Sequence, residues 1–243
     1  MLGIIGGSGL YELYGIASKR SVDEGNAYGQ PSSPVVLASV DASAQESLYF
    51  IARHGVDHSI PPHKVNYRAN IQALYDAGVS RILSVNAVGS CNASYCTGAL
   101  LMPEQIIDYS YAREHTFFDT LASFANHIDF TLPFDKQWQE RIQQAAKAAG
   151  QDIPIAGCYA CTQGPRFETA AEVQRIMRDG GDIIGMTVMP EAALARERGI
   201  AYASLSMVVN MAAGLESDAI DHKDIDGVLS DTTRLIDRII AHL

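Results

Sequence analysis

Two short stretches bring together residues able to hold an anion. In "ARHGVDHSIPPHK" the guanidinium of Arg53 stands beside the imidazole of His54, and in "GIIGGSGLY" a glycine turn presents the hydroxyl of Ser8. A guanidinium forks onto two anionic oxygens, and imidazole and hydroxyl groups complete the shell. With Thr187 in "GMTV", Ser8, Arg53 and His54 would make a phosphate-sized site that needs neither metal nor lysine. The bland alternative for Arg53-His54 is a solvated ion pair. A dinucleotide fingerprint fails at "GGSG", because Glu12 stands where the third glycine belongs, and a Walker lysine is missing. What remains is a turn whose backbone N–H groups can cradle a small anion. His58 and His63 raise the question of zinc, but Pro61 and Pro62 between them make a fixed ligand geometry unsuitable.

The stretch "ACTQGPRFETAAEV" adds a CxxC ending, a Gly-Pro break and the carboxylate of Glu168. If the run Ile155–Cys161 is a strand, Cys158 and Cys161 point to opposite faces and cannot grip one ion or bridge without distortion. Cys91 and Cys96 are the only other cysteines, too few for a disulfide scaffold. Free thiols are the preferred reading, with no metal.

The elements that must position these groups alternate between strand-like and helix-like runs. Strands are expected at Leu2–Ile5, Val35–Val40, Leu48–Ala52, Arg81–Val85, Gln105–Tyr109, Ile155–Cys161, Asp182–Gly185 and Tyr202–Val209. Helices are expected at Asn66–Ala77, Lys136–Ala149, Thr169–Arg178, Pro190–Arg198 and Ile225–Leu243, several of them ending at a glycine. Pro190 suits a first helical position. This order predicts a single α/β domain, residues 1–243, with a mixed twisted β-sheet flanked by helices. Polar and glycine residues then gather beyond the strand ends: Ser8, Arg53-His54, Asn86 to Gly89, Gly164 to Arg166, Met186-Thr187 and Asn210. In open α/β sheets ligands bind along that edge.

Composition narrows the partners. The 243 residues carry a formal net charge of −10, so the surface as a whole repels nucleic acid and anionic membranes, and an anionic ligand needs a local cation. The opening "MLGIIGGSGLY" is broken by glycines too early for a signal peptide, and no apolar run approaches membrane-spanning length. A cytoplasmic protein acting on small molecules is expected.

Five segments, "GIIGGSGLY", "ARHGVDHSIPPHKVNYRANIQAL", "VNAVGS", "ACTQGPRFETAAEV" and "GMTVMPEAALARERGIAYAS", resemble in order those of the trimeric purine nucleoside phosphorylase and methylthioadenosine phosphorylase family. The resemblance runs from residue 3 to about residue 214. It implies a phosphorylase-type fold, a homotrimer with active sites at subunit interfaces, no cofactor, and inorganic phosphate as co-substrate attacking C1′ of a purine nucleoside. It also implies phosphate contacts from Ser8, Arg53, His54, Asn86, Ala87 and Thr187, although relatives often carry a hydroxyl residue in place of Asn86. Met186 would lie beneath the sugar and Phe167 against the base, with Met211 beside Asn210 and Ala212. His127 of a neighbouring subunit would reach the 5′ end of the sugar.

Such phosphorolysis builds positive charge on the sugar and negative charge on the departing purine, so positioned charges and hydrogen bonds can catalyse it without a protein nucleophile. Asn210 is the expected donor to the leaving base. Relatives that cleave 6-aminopurines carry aspartates at the positions of Asn210 and Ala212, whereas Glu168 matches the glutamate with which 6-oxopurine-specific relatives accept N1–H. Both substitutions favour hypoxanthine or guanine. Glu168 would also suit a helix N-terminus for reasons of charge alone. At the 5′ end, "REHTFF", "YACTQGPR" and "VVN-x-AAG" resemble the methylthioinosine-cleaving bacterial members. His222 falls near a position where inosine-cleaving members bind the 5′-hydroxyl. S-Methyl-5′-thioinosine is the favoured substrate, with inosine or guanosine as the alternative. A hydrolase would need a base or metal to activate water, and a non-catalytic nucleoside-binding protein would not need a complete phosphate shell.

Overall fold

Neighbouring apolar residues on the strands belong to different cores. Ile4, Phe50, Leu83 and Ala203 face one side of the sheet, and Ile5, Ile51, Ile82 and Tyr202 face the other. This is the period-two alternation of strands buried on both faces. The computed structural model describes residues 1–7, 10, 20–22, 25–39, 47–120, 126–216 and 232–243. Its strands are β1 (Leu2–Gly6), β2 (Arg20–Val22), β3 (Val35–Ser39), β4 (Ser47–Ala52), β5 (Arg81–Ser90), β6 (Leu100–Leu101), β7 (Gln105–Asp108), β8 (Cys158–Cys161), β9 (Ile183–Gly185) and β10 (Ala201–Met211). Among the described residues they form one mixed ten-stranded sheet, ordered β2-β3-β4-β1-β5-β9-β8-β7, with β10 beside β5 and β6 beside β10.

Helices α1 (Tyr67–Asp76) and α4 (Val188–Glu197) pack on each other and supply residues to the core that holds Ile5 and Tyr202. On the other face α2 (Lys136–Ala148) buries Trp138, Ile142, Ala145 and Ala146, the i, i+4, i+7 and i+8 stripe of an amphipathic helix. Residues 232–240 form α5, which adds Ile236, Ile239 and Ile240 to that core. Helix α3 (Ala170–Arg178) packs Val173 and Ile176 on a third cluster containing Cys91, Ala160, Ile184 and Ala212. The helix starts follow their caps. Asn66 accepts from Ala69 N, Asp135 accepts from Trp138 N, and Thr169 and Glu172 cap each other reciprocally.

The site depends on a change of partner along β5. Its first residues, Arg81 to Ser84, pair with β1, and its last two, Gly89 and Ser90, pair with β9. The opposite edge stays on β10 throughout. Between the two pairings, Val85 to Val88 leave one edge open, and a cleft forms there as at a switch point of an open α/β sheet.

Four expectations need correction. Strand β5 does not stop at Val85; β10 continues beside it to Ser90, so Asn86 to Gly89 are strand and not a loop. Likewise β10 runs past Val209 to Met211 across a register shift between Val208 and Asn210. The run Ile155–Cys161 shortens to β8, because Ile155 makes only an isolated bridge to Met102 and Gly157 has φ +86°. The last expected helix, Ile225–Leu243, stops at residue 240, with a turn at 241 and 242; the expected helix start at Pro190 holds, because Met189 before it is non-helical. Short strands β2 and β6 carried no sequence signal long enough to read. Ile225, Val228 and Leu229 lie outside the described residues.

Candidate active site

The cleft opens into a cavity of about 820 Å³ lined by Val85 to Gly89 of β5, Met207, Val209 and Asn210 of β10, and loops around His54, Pro165 and Met186. Of the expected site residues, Arg53, His54, Asn86, Ala87, Phe167, Glu168, Met186, Thr187, Asn210 and Ala212 all border it. Residues from seven separate parts of the chain therefore converge on one volume suited to a small molecule.

At one end Arg53 is 2% exposed and faces Glu191, which is fully buried on α4. Arg53 Nε donates to Glu191 Oε1 and Nη2 donates to Oε2 at 3.1 Å. Nη2 also donates to Ser84 Oγ at 2.6 Å, and Nη1 donates to the Val85 carbonyl at 3.2 Å. Ser84 Oγ and the Tyr202 hydroxyl donate to Glu191 Oε2 at 2.9 Å each. The fork expected to meet an anion is thus filled by a carboxylate, leaving one Nη1–H uncommitted among the described residues. Burial disfavours the Arg53 charge, but the Glu191 carboxylate outweighs it and raises the guanidinium above its ordinary range.

His54 Nδ1 lies 2.8 Å from the Ile60 carbonyl, so Nδ1 carries the proton and donates, and Nε2 holds the lone pair of the neutral ring. Burial first, and the adjacent Arg53 charge second, push its pKa down to about 4. The His58 ring stacks on it at 4.9 Å between centroids. Beyond them Thr187 Oγ1 donates to Asn86 Oδ1 at 2.6 Å, and Asn86 Nδ2 donates to Ser204 Oγ at 2.7 Å. Thr187 directly precedes α4, but the helix is interrupted at Met189, whose N–H donates to Cys161 Sγ, so the hydroxyl is what Thr187 offers at this end. With Glu191 balancing Arg53 and His54 neutral at pH 7, this end holds buried donors with little net positive charge.

The other end is built by the loop after β8 and the end of β10. Glu168 is half-buried, and among the described residues no hydrogen bond or ion pair engages it. Asn210 Nδ2 donates to the Met211 carbonyl at 2.6 Å, so its second N–H and its Oδ1 remain for the cavity. The register shift next to it turns the strand end toward the cleft. Ala212 is 5% exposed and packs in the apolar cluster with Cys91 and Ile176. Gly164, at φ +60°, lets the loop after β8 lie directly on Met186 and Pro62, where a Cβ would collide.

Ser8 and His222 lie outside the described residues. His127 is exposed, and neither it nor Met211 borders the cavity within this chain. The cysteines are free thiols; Cys158 and Cys161 sit three apart on β8 and so on opposite faces. Burial raises Cys161 and Cys91 to about 12 each, which leaves both protonated. Among the described residues no group of three or more His, Cys, Asp or Glu is arranged to hold a metal ion. No helix among them is long and apolar enough to cross a membrane. Glu191, Ser84, Ser204 and Tyr202 were absent from the expected site. The available signal was a run of serines and a tyrosine inside apolar β5 and β10, and a glutamate one residue after Pro190.

Residues 2–243 match the model of the phosphorylase superfamily. A Pseudomonas syringae pv. tomato protein described as "Probable S-methyl-5'-thioinosine phosphorylase" is 46% identical over 94% of this chain and 92% of its own length. A 6-oxopurine nucleoside phosphorylase of Pyrococcus furiosus is 42% identical over 92% of this chain and 84% of its own. Methylthioadenosine phosphorylase from Schistosoma mansoni, solved in complex with adenine, superposes with a TM-score of 0.91 at 28% identity, covering 99% of this chain and 89% of that one. The fold is that of an α/β phosphorylase. The chain belongs to the phosphorylase superfamily.

Proposed function

We propose that the protein catalyses phosphorolysis of 6-oxopurine nucleosides, and that its substrate is S-methyl-5′-thioinosine, giving hypoxanthine and 5-methylthioribose 1-phosphate. The observation that carries the reading is the polarity of the cavity: Glu168 and Asn210 at one end, with no carboxylate at 210 or 212, and Arg53, His54, Asn86 and Thr187 at the other. A 6-oxopurine offers an N1–H to the Glu168 carboxylate and an O6 and N7 to the Asn210 amide. A 6-aminopurine would set its N6 donors against the Asn210 N–H, with no acceptor at Ala212.

Phosphate lies below the sugar against His54, Thr187, Ala87, Asn86 and the remaining Arg53 Nη1–H, with Ser8 from the glycine turn completing its shell. One phosphate oxygen attacks C1′ as the C1′–N9 bond breaks. The electron pair of that bond leaves with the purine, and Asn210 donates to the negative charge that develops. Phe167 and Met186 confine base and sugar so that attack is in line. The chain forms one domain over residues 1–243 and needs no metal or organic cofactor. It works as a cytoplasmic homotrimer in which His127 of a neighbouring subunit meets the 5′ group. The relatives' names support both a methylthio and a hydroxyl 5′ end, and the 46% relative favours the first.

The test is phosphate-dependent release of base from S-methyl-5′-thioinosine, inosine, guanosine and S-methyl-5′-thioadenosine. We expect kcat/KM to be highest for the first and lowest for the last. Base release without phosphate would indicate a hydrolase, no release would indicate a binding protein, and preference for inosine would bring His222 into the pocket.

A further inference from the structure

We propose that Arg113 is a positioning residue that keeps the base end and the phosphate end of the cavity in register; the proposal rests on the phosphorolytic reading above. Arg113 is 8% exposed and does not border the cavity. Its Nη1 donates to the Met186 carbonyl at 2.8 Å and to the Met189 carbonyl, and Nη2 donates to the carbonyls of Thr162 at 3.0 Å and Gln163 at 2.9 Å. Nε donates to Gln163 Oε1 at 3.1 Å, and Nη1 lies 3.3 Å from the Tyr67 hydroxyl. Met186 precedes Thr187 directly, and Gln163 opens the turn that carries Phe167 and Glu168. One planar group therefore clamps the peptide beside the phosphate residues to the loop that reads the base.

Two features set this arginine apart from a stability device. Among the described residues no carboxylate pairs with it, and the adjacent Glu114 is engaged by Arg68 instead. A buried cation held only by neutral acceptors is a costly way to fill space, which an apolar side chain would fill more favourably. The backbone is also strained to aim it: Ala112 sits at φ +53°, a region a residue with a Cβ rarely adopts, while Tyr111 before it is 69% exposed. Because C1′ must pass between a fixed base and a fixed phosphate, an error of about 1 Å in their separation costs on the order of a hundredfold in rate.

The experiment compares wild type with Arg113→Met and Arg113→Lys, well below each melting temperature. It measures kcat and KM for nucleoside and phosphate, and calorimetric binding of hypoxanthine alone and phosphate alone. We expect kcat to fall about a hundredfold while each ligand alone binds within about threefold of wild type, since each half-site survives and only their separation changes. Lysine should not rescue kcat, because an ammonium restores the charge but not the planar fork. A folded variant with kcat within threefold of wild type, rescue by lysine, or loss of both binding reactions together overturns the proposal. Should neither variant fold, Gln163→Leu removes one arm of the clamp; about a tenfold loss of kcat at unchanged melting temperature supports it, and unchanged kcat overturns it. Wild-type protein that cleaves no purine nucleoside overturns the functional reading, and this inference with it.

Discussion

Replacing Glu191 by glutamine tests whether the buried ion pair exists for stability or for the anion. Four donors converge on this carboxylate: Nε and Nη2 of Arg53, Ser84 Oγ and the Tyr202 hydroxyl. Glutamine keeps the volume but offers one oxygen and turns an NH₂ group toward donors that need acceptors. Breaking a buried pair by removing one partner costs about 3–5 kcal/mol, because the remaining charge is uncompensated. For a chain of this size each kcal/mol moves Tm by roughly 2–4 °C, so Glu191→Gln should melt about 6–20 °C below wild type. Phosphate supplies the missing negative charge, and the variant's Tm should therefore rise more steeply with added phosphate than that of wild type.

The double substitution Arg53→Met with Glu191→Leu separates the two roles. Exchanging a buried pair for apolar side chains of similar size is often neutral or stabilising, so most of the lost Tm should return. Phosphate-dependent turnover and the phosphate-induced rise in Tm should not. Scanning calorimetry with a phosphate titration, together with the phosphate KM, reads both. A double variant with wild-type phosphate KM would remove Arg53 from the anion site. A single variant melting within about 2 °C of wild type would show that Arg53 and Glu191 are not a buried, mutually dependent pair.

Four further outcomes follow from the same geometry. Asn210→Asp should lower kcat/KM for 6-oxopurine nucleosides at least about tenfold, by replacing the donor to the leaving base with an acceptor. Adding Ala212→Asp should cost several kcal/mol of stability by desolvating a carboxylate beside Cys91 and Ile176, so an unchanged urea midpoint would contradict that packing. His54 ionises near pH 4 in the folded state and near 6.5 when unfolded. The unfolded chain therefore binds the extra proton between these values; stability is complete above pH 6.5 and falls by ~3 kcal/mol as pH drops to 4. Urea titrations of wild type and His54→Gln should diverge by that amount across this window, and parallel curves would refute it. Gly164→Ala should cut nucleoside turnover strongly, since a Cβ there meets Met186 and Pro62; full activity with wild-type Tm would mean that the two loops need not touch.

Much of this site was legible because its residues lie at strand ends next to glycines. Arg53, His54 and Thr187 each follow an apolar run, and no core demand explains a guanidinium after "FIA" or a threonine after "IIGM". The three capped helices were legible to within a residue, because Asn66, Asp135 and Thr169 carry cap chemistry that is local in sequence. Strand lengths were not. Gly89 reads as a turn in isolation, and only the pairing of β5 with β10 across Asn86 to Ser90 makes it extended.

What stayed hidden shares one property: each such residue looks like filler until its distant partner is known. Glu191 reads as a first-turn acid of a helix, a role the dipole alone would explain, yet it is fully buried because Arg53 lies 138 residues away in the chain. Arg113 reads as one more surface charge beside Glu114, and only the fold brings four backbone carbonyls around it. The groups that would touch a ligand are thus announced by local pattern, whereas those that hold them in place are announced by burial. Substitutions chosen from sequence alone would reach Arg53 and Asn210 and pass over Glu191 and Arg113. In the double variant and the Arg113 series, these two positions separate a cavity that binds from one that aligns its ligands for reaction.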